Sequence, residues 1–167
     1  KKIVVYLITL EARAVLRKYC PRIVAVTGSV GKTSAKDAIF AVLAPGSHVR
    51  KSEKNFNSEV GIPLTILGAP NAWNNPFLWI QNLFDGLLLI IFTSTYPEWL
   101  VLEIGADRPG DISSLSKWLP VDVAVITHVP EVPVHVEFFE SPATILEEKA
   151  SLIDALKGGG TLVVNGD

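Results

Sequence analysis

The chain has 167 residues, enough for one domain with a real core. Apolar residues make up 49% and charged residues 19%, which excludes a disordered chain. A formal net charge of −2 gives no general reason to expect nucleic acid, and the single cysteine, Cys20, excludes an internal disulfide and fits a reducing cytoplasm.

The opening stretch KKIVVYLITLEARA has two lysines, an apolar run and a small-residue ending, as a signal peptide does. Glu11 and Arg13 interrupt it, and a glycine-rich loop follows soon after. A helix over about 3–19, ending at Pro21 and packed by its apolar face, is the better reading. RIVAVT reads as a buried strand, followed by the loop and a helix from Lys32 to Leu43. SHVRKS is a short strand. NSEVGIPLTILG begins like a capped helix, with Pro63 confined to its early turn.

In NPFLWIQNLFDGLLLIIFTSTYPEW, residues Phe77, Ile80, Phe84, Leu88 and Ile91 recur at helical spacing. The longest pure apolar run, Leu87 to Phe92, is far short of the ~20 residues a spanning helix needs. An amphipathic helix bounded by Pro76 and Pro97 is expected. Its stripe would pack on the core or on a neighbouring domain, with a membrane surface as the other reading. EWLVLEIG is a strand, GDISSLSKWL a helix and VDVAVITHV a strand. SPATILEEKASLIDALK predicts one helix with Ser141 as N-cap, and GGGTLVVNG a last strand after a glycine stop. No internal repeat is visible.

Strands alternating with helices predict an α/β fold: a three-layer, P-loop NTPase-like, mostly parallel sheet with helices on both faces. Ligands of such sheets bind at the carboxyl ends of the strands, where Thr27, Glu103 and Thr127 fall. The chain starts at Lys1 rather than Met and stops directly after a strand-like run, so it reads as a piece of a longer protein.

The stretch VTGSVGKTS, Val26 to Ser34, sits between a strand and a helix start. Backbone N–H groups there can point inward, and the helix N-terminus adds about half a positive charge. Gly28 and Gly31 permit conformations and approaches that a side chain would block. Ser29, Val30 and Ser34 complete the cradle, Lys32 can reach the β- and γ-phosphates, and the Thr33 hydroxyl can bind Mg²⁺. The loop is a shortened variant of the common pattern, with Val26 where a further glycine would stand. It predicts a bound nucleoside triphosphate, ATP or a relative.

Four later stretches accompany it: NFNSEVGIPLTIL (55–67), LEIGADRPGDI (102–112), HVEFF (135–139) and ILEEKASLI (145–153). In this order, after TGSVGKTS, they resemble the ATP-dependent Mur ligases, which build the peptide of peptidoglycan precursors. Within that family the resemblance is to the branch that adds D-alanyl-D-alanine to a UDP-N-acetylmuramoyl tripeptide. It covers about 23–167, and implies a helix leading in over 1–21 and a central ATP-binding domain over 22–167. That domain would be cut short at its C-terminal side, with the flanking domains that grip the UDP-sugar and bring the amine absent. A chain of this extent is expected to bind nucleotide weakly and to show no turnover alone.

The resemblance implies site roles. Glu103 and Thr33 would hold Mg²⁺; a carboxylate ending an apolar strand needs a partner, and an ion pair with a lysine is the other way to supply it. His135 would be the ligand of a second metal, with His128 as its competitor. Lys149 would be carbamylated by CO₂ into a further ligand, or else is a solvated surface lysine. Asn55 and Asn57 would lie over the reacting carboxylate and its nucleotide-sugar, or serve only a turn. Lys32, His135 and Lys149 are thus the catalytic candidates of a cytoplasmic enzyme that forms an acyl phosphate for attack by an amine. A related amide ligase, of folylpolyglutamate synthase or lipid-linked muramyl amidating type, and a P-loop binding module are the alternatives.

Overall fold

A computed structural model describes residues 2–130, 139 and 141–166 of the chain. Five strands form one sheet: β1 (Arg22–Thr27), β2 (Val49–Lys51), β3 (Trp99–Glu103), β4 (Val121–Ile126) and β5 (Leu156–Val164). Their order is β2-β3-β1-β4-β5, and every pairing is parallel. The helices are α1 (Lys2–Tyr19), α2 (Lys32–Leu43), α3 (Gly61–Leu67), α4 (Pro76–Ile91), α5 (Asp111–Ser116) and α6 (Pro142–Ala150).

Side chains alternate across the strands, so one apolar run feeds two cores. Ile23, Ala25, Leu100 and Leu102 face α1, α3 and α5. Val24, Val26 and Val101 face the other way, onto Ala35, Ile39 and Leu43 of α2. The fold is therefore the expected three-layer α/β arrangement, with one described helix, α2, covering the second face. The lead-in helix is part of the main core, with Ile8, Ala12 and Val15 fully buried. The register sets Glu103 beside Val26 and Ile126 beside Thr27, which brings the carboxyl ends of the three central strands level.

Two expectations are corrected. The helix over 141–157 stops at Ala150 and tightens into a 3₁₀ turn, Ser151–Ala155. Leu156 already pairs with Val121 of β4, while Thr161 pairs with Val123. The glycine triplet thus bulges out within β5 instead of stopping a helix, with Gly159 at φ 83° and Lys157 anchored by Asp122 at 2.8 Å. Parallel pairing with β4 outweighs the helical pattern of the segment.

The second correction concerns α4. Its periodic stripe does not pack on the core: Phe77, Ile80, Phe84 and Ile91 are exposed. The buried side is Asn82 and Gly86. A methyl group at Gly86 would come 2.3 Å from Glu11 Oε2, so the glycine lets α4 lie close on α1. Asn75 caps its start by accepting from the N–H groups of Phe77 and Leu78. At the other end Lys18 of α1 donates to the carbonyls of Leu89, Ile90 and Phe92, which completes the helix C-terminus. Among the described residues no helix is long and apolar enough to cross a membrane.

Candidate functional site

The site is built where β1 gives way to α2. Gly28 has φ 139°, and a methyl group there would come 2.0 Å from Thr127 Oγ1, so only glycine lets the loop pass the end of β4. Gly31 has φ 86° and open space around it; it starts α2 in a left-handed conformation with no side-chain cap. The first-turn N–H groups of α2 are therefore left to a ligand or to water. Ser29 and Val30 do not add theirs, because both N–H groups donate to the His128 carbonyl, at 3.0 and 3.2 Å. The expected inward-pointing N–H groups are therefore not those of Ser29 and Val30. These two bonds tie the loop to the chain leaving β4.

Two lysines meet above the loop. Lys32 Nζ donates to the Gly28 carbonyl at 3.0 Å and to the Ser29 carbonyl at 3.3 Å. Lys149 Nζ, from α6, donates to the same Gly28 carbonyl at 3.1 Å. Lys149 is 5% exposed, which excludes a solvated surface lysine. Burial, and then the Lys32 ammonium, bring its pKa down to about 8, against the opposing pull of Asp107 and Glu148. One neutral carbonyl shared by two cations leaves room for an anion. The Ser29 hydroxyl is buried without a partner there, as is that of Thr27.

A second pair stands beside this one. Thr33 Oγ1 donates to Glu103 Oε2 at 3.0 Å, so the two candidate metal ligands lie together. The same oxygen is 3.2 Å from Lys36 Nζ. Glu103 thus makes the lysine ion pair, one of the two readings the sequence left open, and lies beside Thr33, the residue named with it for the metal. A hydroxyl and a carboxylate next to a glycine-rich turn and a helix start are hard oxygen donors of the kind Mg²⁺ takes.

The asparagines divide. The Asn57 carbonyl accepts from Gly105 N at 2.8 Å, just past Glu103. Asn55, at φ 69°, lines a separate cavity of about 530 Å³ with Ser58, Trp73 and Trp79. Ser34 is exposed on the first turn of α2. The His128 ring meets Asn165 at 3.4 Å. His135 lies outside the described residues.

Residues 86–167 match the Mur ligase middle domain. Over 156 residues the chain is 36% identical to UDP-N-acetylmuramoyl-tripeptide--D-alanyl-D-alanine ligase of Bacillus subtilis (strain 168), which covers 93% of this chain and 28% of the relative. The chain belongs to the Mur ligase family. The corresponding ligase of Mycobacterium bovis is 32% identical over 145 residues, covering 87% of this chain and 23% of its own. Among solved structures, MurF ligase from Thermotoga maritima in complex with ADP superposes with a TM-score of 0.73 at 34% identity, covering 98% of this chain and 32% of that one. This Mur ligase chain therefore spans less than a third of the length of these relatives.

Two residues of this Mur ligase chain escaped the sequence reading. Lys36 stands three residues after Thr33, one turn along the same helix face, which is the signal that could have paired it with Glu103. Glu148 accepts from the N–H groups of Gly110, Ile112 and Ser113, at 2.9, 2.6 and 3.1 Å, and so caps α5 from α6. Only the neighbouring uncapped helix start gave a hint of it.

Proposed function

We propose that the chain is the nucleotide-binding centre of an ATP-dependent ligase that joins an amine to the carboxylate of a peptidoglycan precursor. By analogy with these relatives, the acid is a UDP-N-acetylmuramoyl tripeptide and the amine D-alanyl-D-alanine. The observation that carries the reading is the meeting of Lys32 and Lys149 on the Gly28 carbonyl, next to Thr33 and Glu103. The ADP in the Thermotoga maritima relative agrees with it.

On this reading the first-turn N–H groups of α2 and the Lys32 ammonium hold the β- and γ-phosphates, and Gly28 and Gly31 keep side chains out of their way. The substrate carboxylate attacks the γ-phosphorus, ADP leaves, and the acyl phosphate forms; the amine then attacks the carbonyl carbon and phosphate departs. Lys32 offsets the charge that builds on the transferring group. Thr33 and Glu103 are the residues that would hold Mg²⁺, which supplies charge neutralisation when bound. Asn57 stands by the strand end to orient the carboxylate, and Asn55 opens the neighbouring cavity to the rest of the precursor. His135 completes the set as the residue proposed for a second metal.

Lys149 is proposed to carry a carbamate. At a pKa of about 8 a useful fraction of its amine is neutral. The nitrogen lone pair adds to CO₂, a C–N bond forms, a proton is released, and a cation becomes a carboxylate-like ligand. Flanking domains over the rest of the relatives' length, and a cytoplasmic setting, belong to the same proposal.

Isothermal titration with ADP and Mg²⁺, on wild type and Lys32→Ala, tests the reading. Binding that K32A weakens by about 10–100-fold is expected, since a charge-assisted contact contributes about 1.5–3 kcal/mol. Binding indifferent to K32A overturns it. Labelled bicarbonate should give a carbamate resonance that Lys149→Met lacks. ADP release that depends on both precursor and dipeptide, from a chain with its flanking domains, would name the substrates.

A further inference from the structure

We propose that Lys36 is a positioning residue that holds Glu103 so that a divalent cation enters the site only together with nucleotide phosphates. This rests on the metal reading above and deepens it. Lys36 is 3% exposed, and its ammonium lies 3.2 Å from Glu103 Oε2, the oxygen that also accepts the Thr33 hydroxyl. Both groups that would serve the metal are thus engaged with each other and with a buried cation. Glu103 Oε1 has no protein partner among the described residues.

The surrounding charges point the same way. Lys32 adds a second ammonium group at the Gly28 carbonyl. On the acid side, Asp37 is 3.9 Å from Lys36 but is held by Lys51 at 2.8 Å. Asp107 and Glu148 act on Lys149, and the Glu148 oxygens are taken up by α5. Among the described residues no three of His, Cys, Asp and Glu gather as a cation cage.

A hydrated divalent cation arriving alone therefore meets the ammonium groups of Lys32 and Lys36 and one carboxylate already paired. Mg²⁺ gives up water reluctantly and is held by one or two carboxylates plus phosphates. Arriving on a triphosphate, it comes with the negative charge that Lys32 and the start of α2 offset. Lys36 keeps its hold on Oε2, which leaves Oε1 and the Thr33 hydroxyl for the metal. Loss of Lys36 would leave Glu103 as an unpaired buried carboxylate, which a bare cation satisfies.

The test uses Mn²⁺ as the probe and reads the Mn²⁺ held on the protein side at equilibrium dialysis, because ATP free in solution also binds Mn²⁺. Wild type should leave Mn²⁺ free without nucleotide and take it up with ATP. Lys36→Met should bind Mn²⁺ alone, at least about tenfold more tightly than wild type. Lys36→Arg should behave as wild type, and K36M with Glu103→Gln should lose the gain. Wild type binding Mn²⁺ alone as tightly as K36M overturns the proposal, as does a K36M that melts cooperatively and gains nothing. Should K36M not fold, bare Mn²⁺ bound by wild type or K36R and displaced by Mg²⁺ overturns it. If wild type takes up no Mn²⁺ even with ATP, the metal reading falls, and this proposal with it.

Discussion

The two loop glycines look alike in sequence and differ in what they tolerate. Gly28→Ala forces a methyl group against Thr127 and is expected to cost about 1–3 kcal/mol, while Gly31→Ala meets only backbone strain of about 1 kcal/mol. Urea unfolding of both variants checks the ranking. Lys149 gives a signed pH dependence. Its pKa is near 8 in the fold against 10.5 in a free side chain, so between those values the unfolded chain holds the extra proton. Stability should rise with pH across that window in CO₂-free buffer. Lys149→Met should flatten the rise; an unchanged slope would remove Lys149 as its source. The loop residues were legible because their types have few alternative uses at that spacing. Lys36 was not, since a lysine four residues along an ordinary helix looks like any solvated one, and its burial depends on where β3 ends.

At the scale of elements, α6 and α5 act as a unit through Glu148. Glu148→Ala removes three charge-assisted hydrogen bonds and leaves three N–H groups open, at an expected cost of about 2–4 kcal/mol. The same variant should weaken nucleotide binding through displacement of α6, which titration with ADP reads. The α1–α4 contact has its own pH response. Burial raises the Glu11 pKa from 4.5 to about 7, so the folded chain holds the extra proton between those values and stability falls as pH rises through them. Glu11→Gln should abolish that fall in the urea midpoint. Strand and helix existence was readable from apolar runs and caps, and α2 begins and ends where its pattern does. The α4 stripe was not, because periodicity shows that a helix has an apolar face and is silent on what the face meets. The glycines of β5 misled for a related reason: a bulge and a helix stop use the same residue.

Over the whole molecule, the stripe of α4 joins Ile3, Tyr6 and Leu10 of α1 among the exposed apolar side chains. Surfaces of this kind seldom stay bare in water. The 167-residue chain is expected to self-associate as its concentration rises. Phe77→Ser with Phe84→Ser should restore a single sedimenting species without loss of cooperative melting, and sedimentation velocity decides it. The β5 edge exposes Leu162, Val163 and Val164 and is the control surface: serines on α4 that change nothing would shift attention there. One feature of the layering has a practical side. The second core rests on α2, and the same helix presents Lys32 and Thr33 at its first turn and Lys36 one turn on. Whatever grips that turn also braces the smaller core against thermal fraying. A simple melting curve should therefore serve as an occupancy gauge, climbing with ligand concentration well before any turnover is measured.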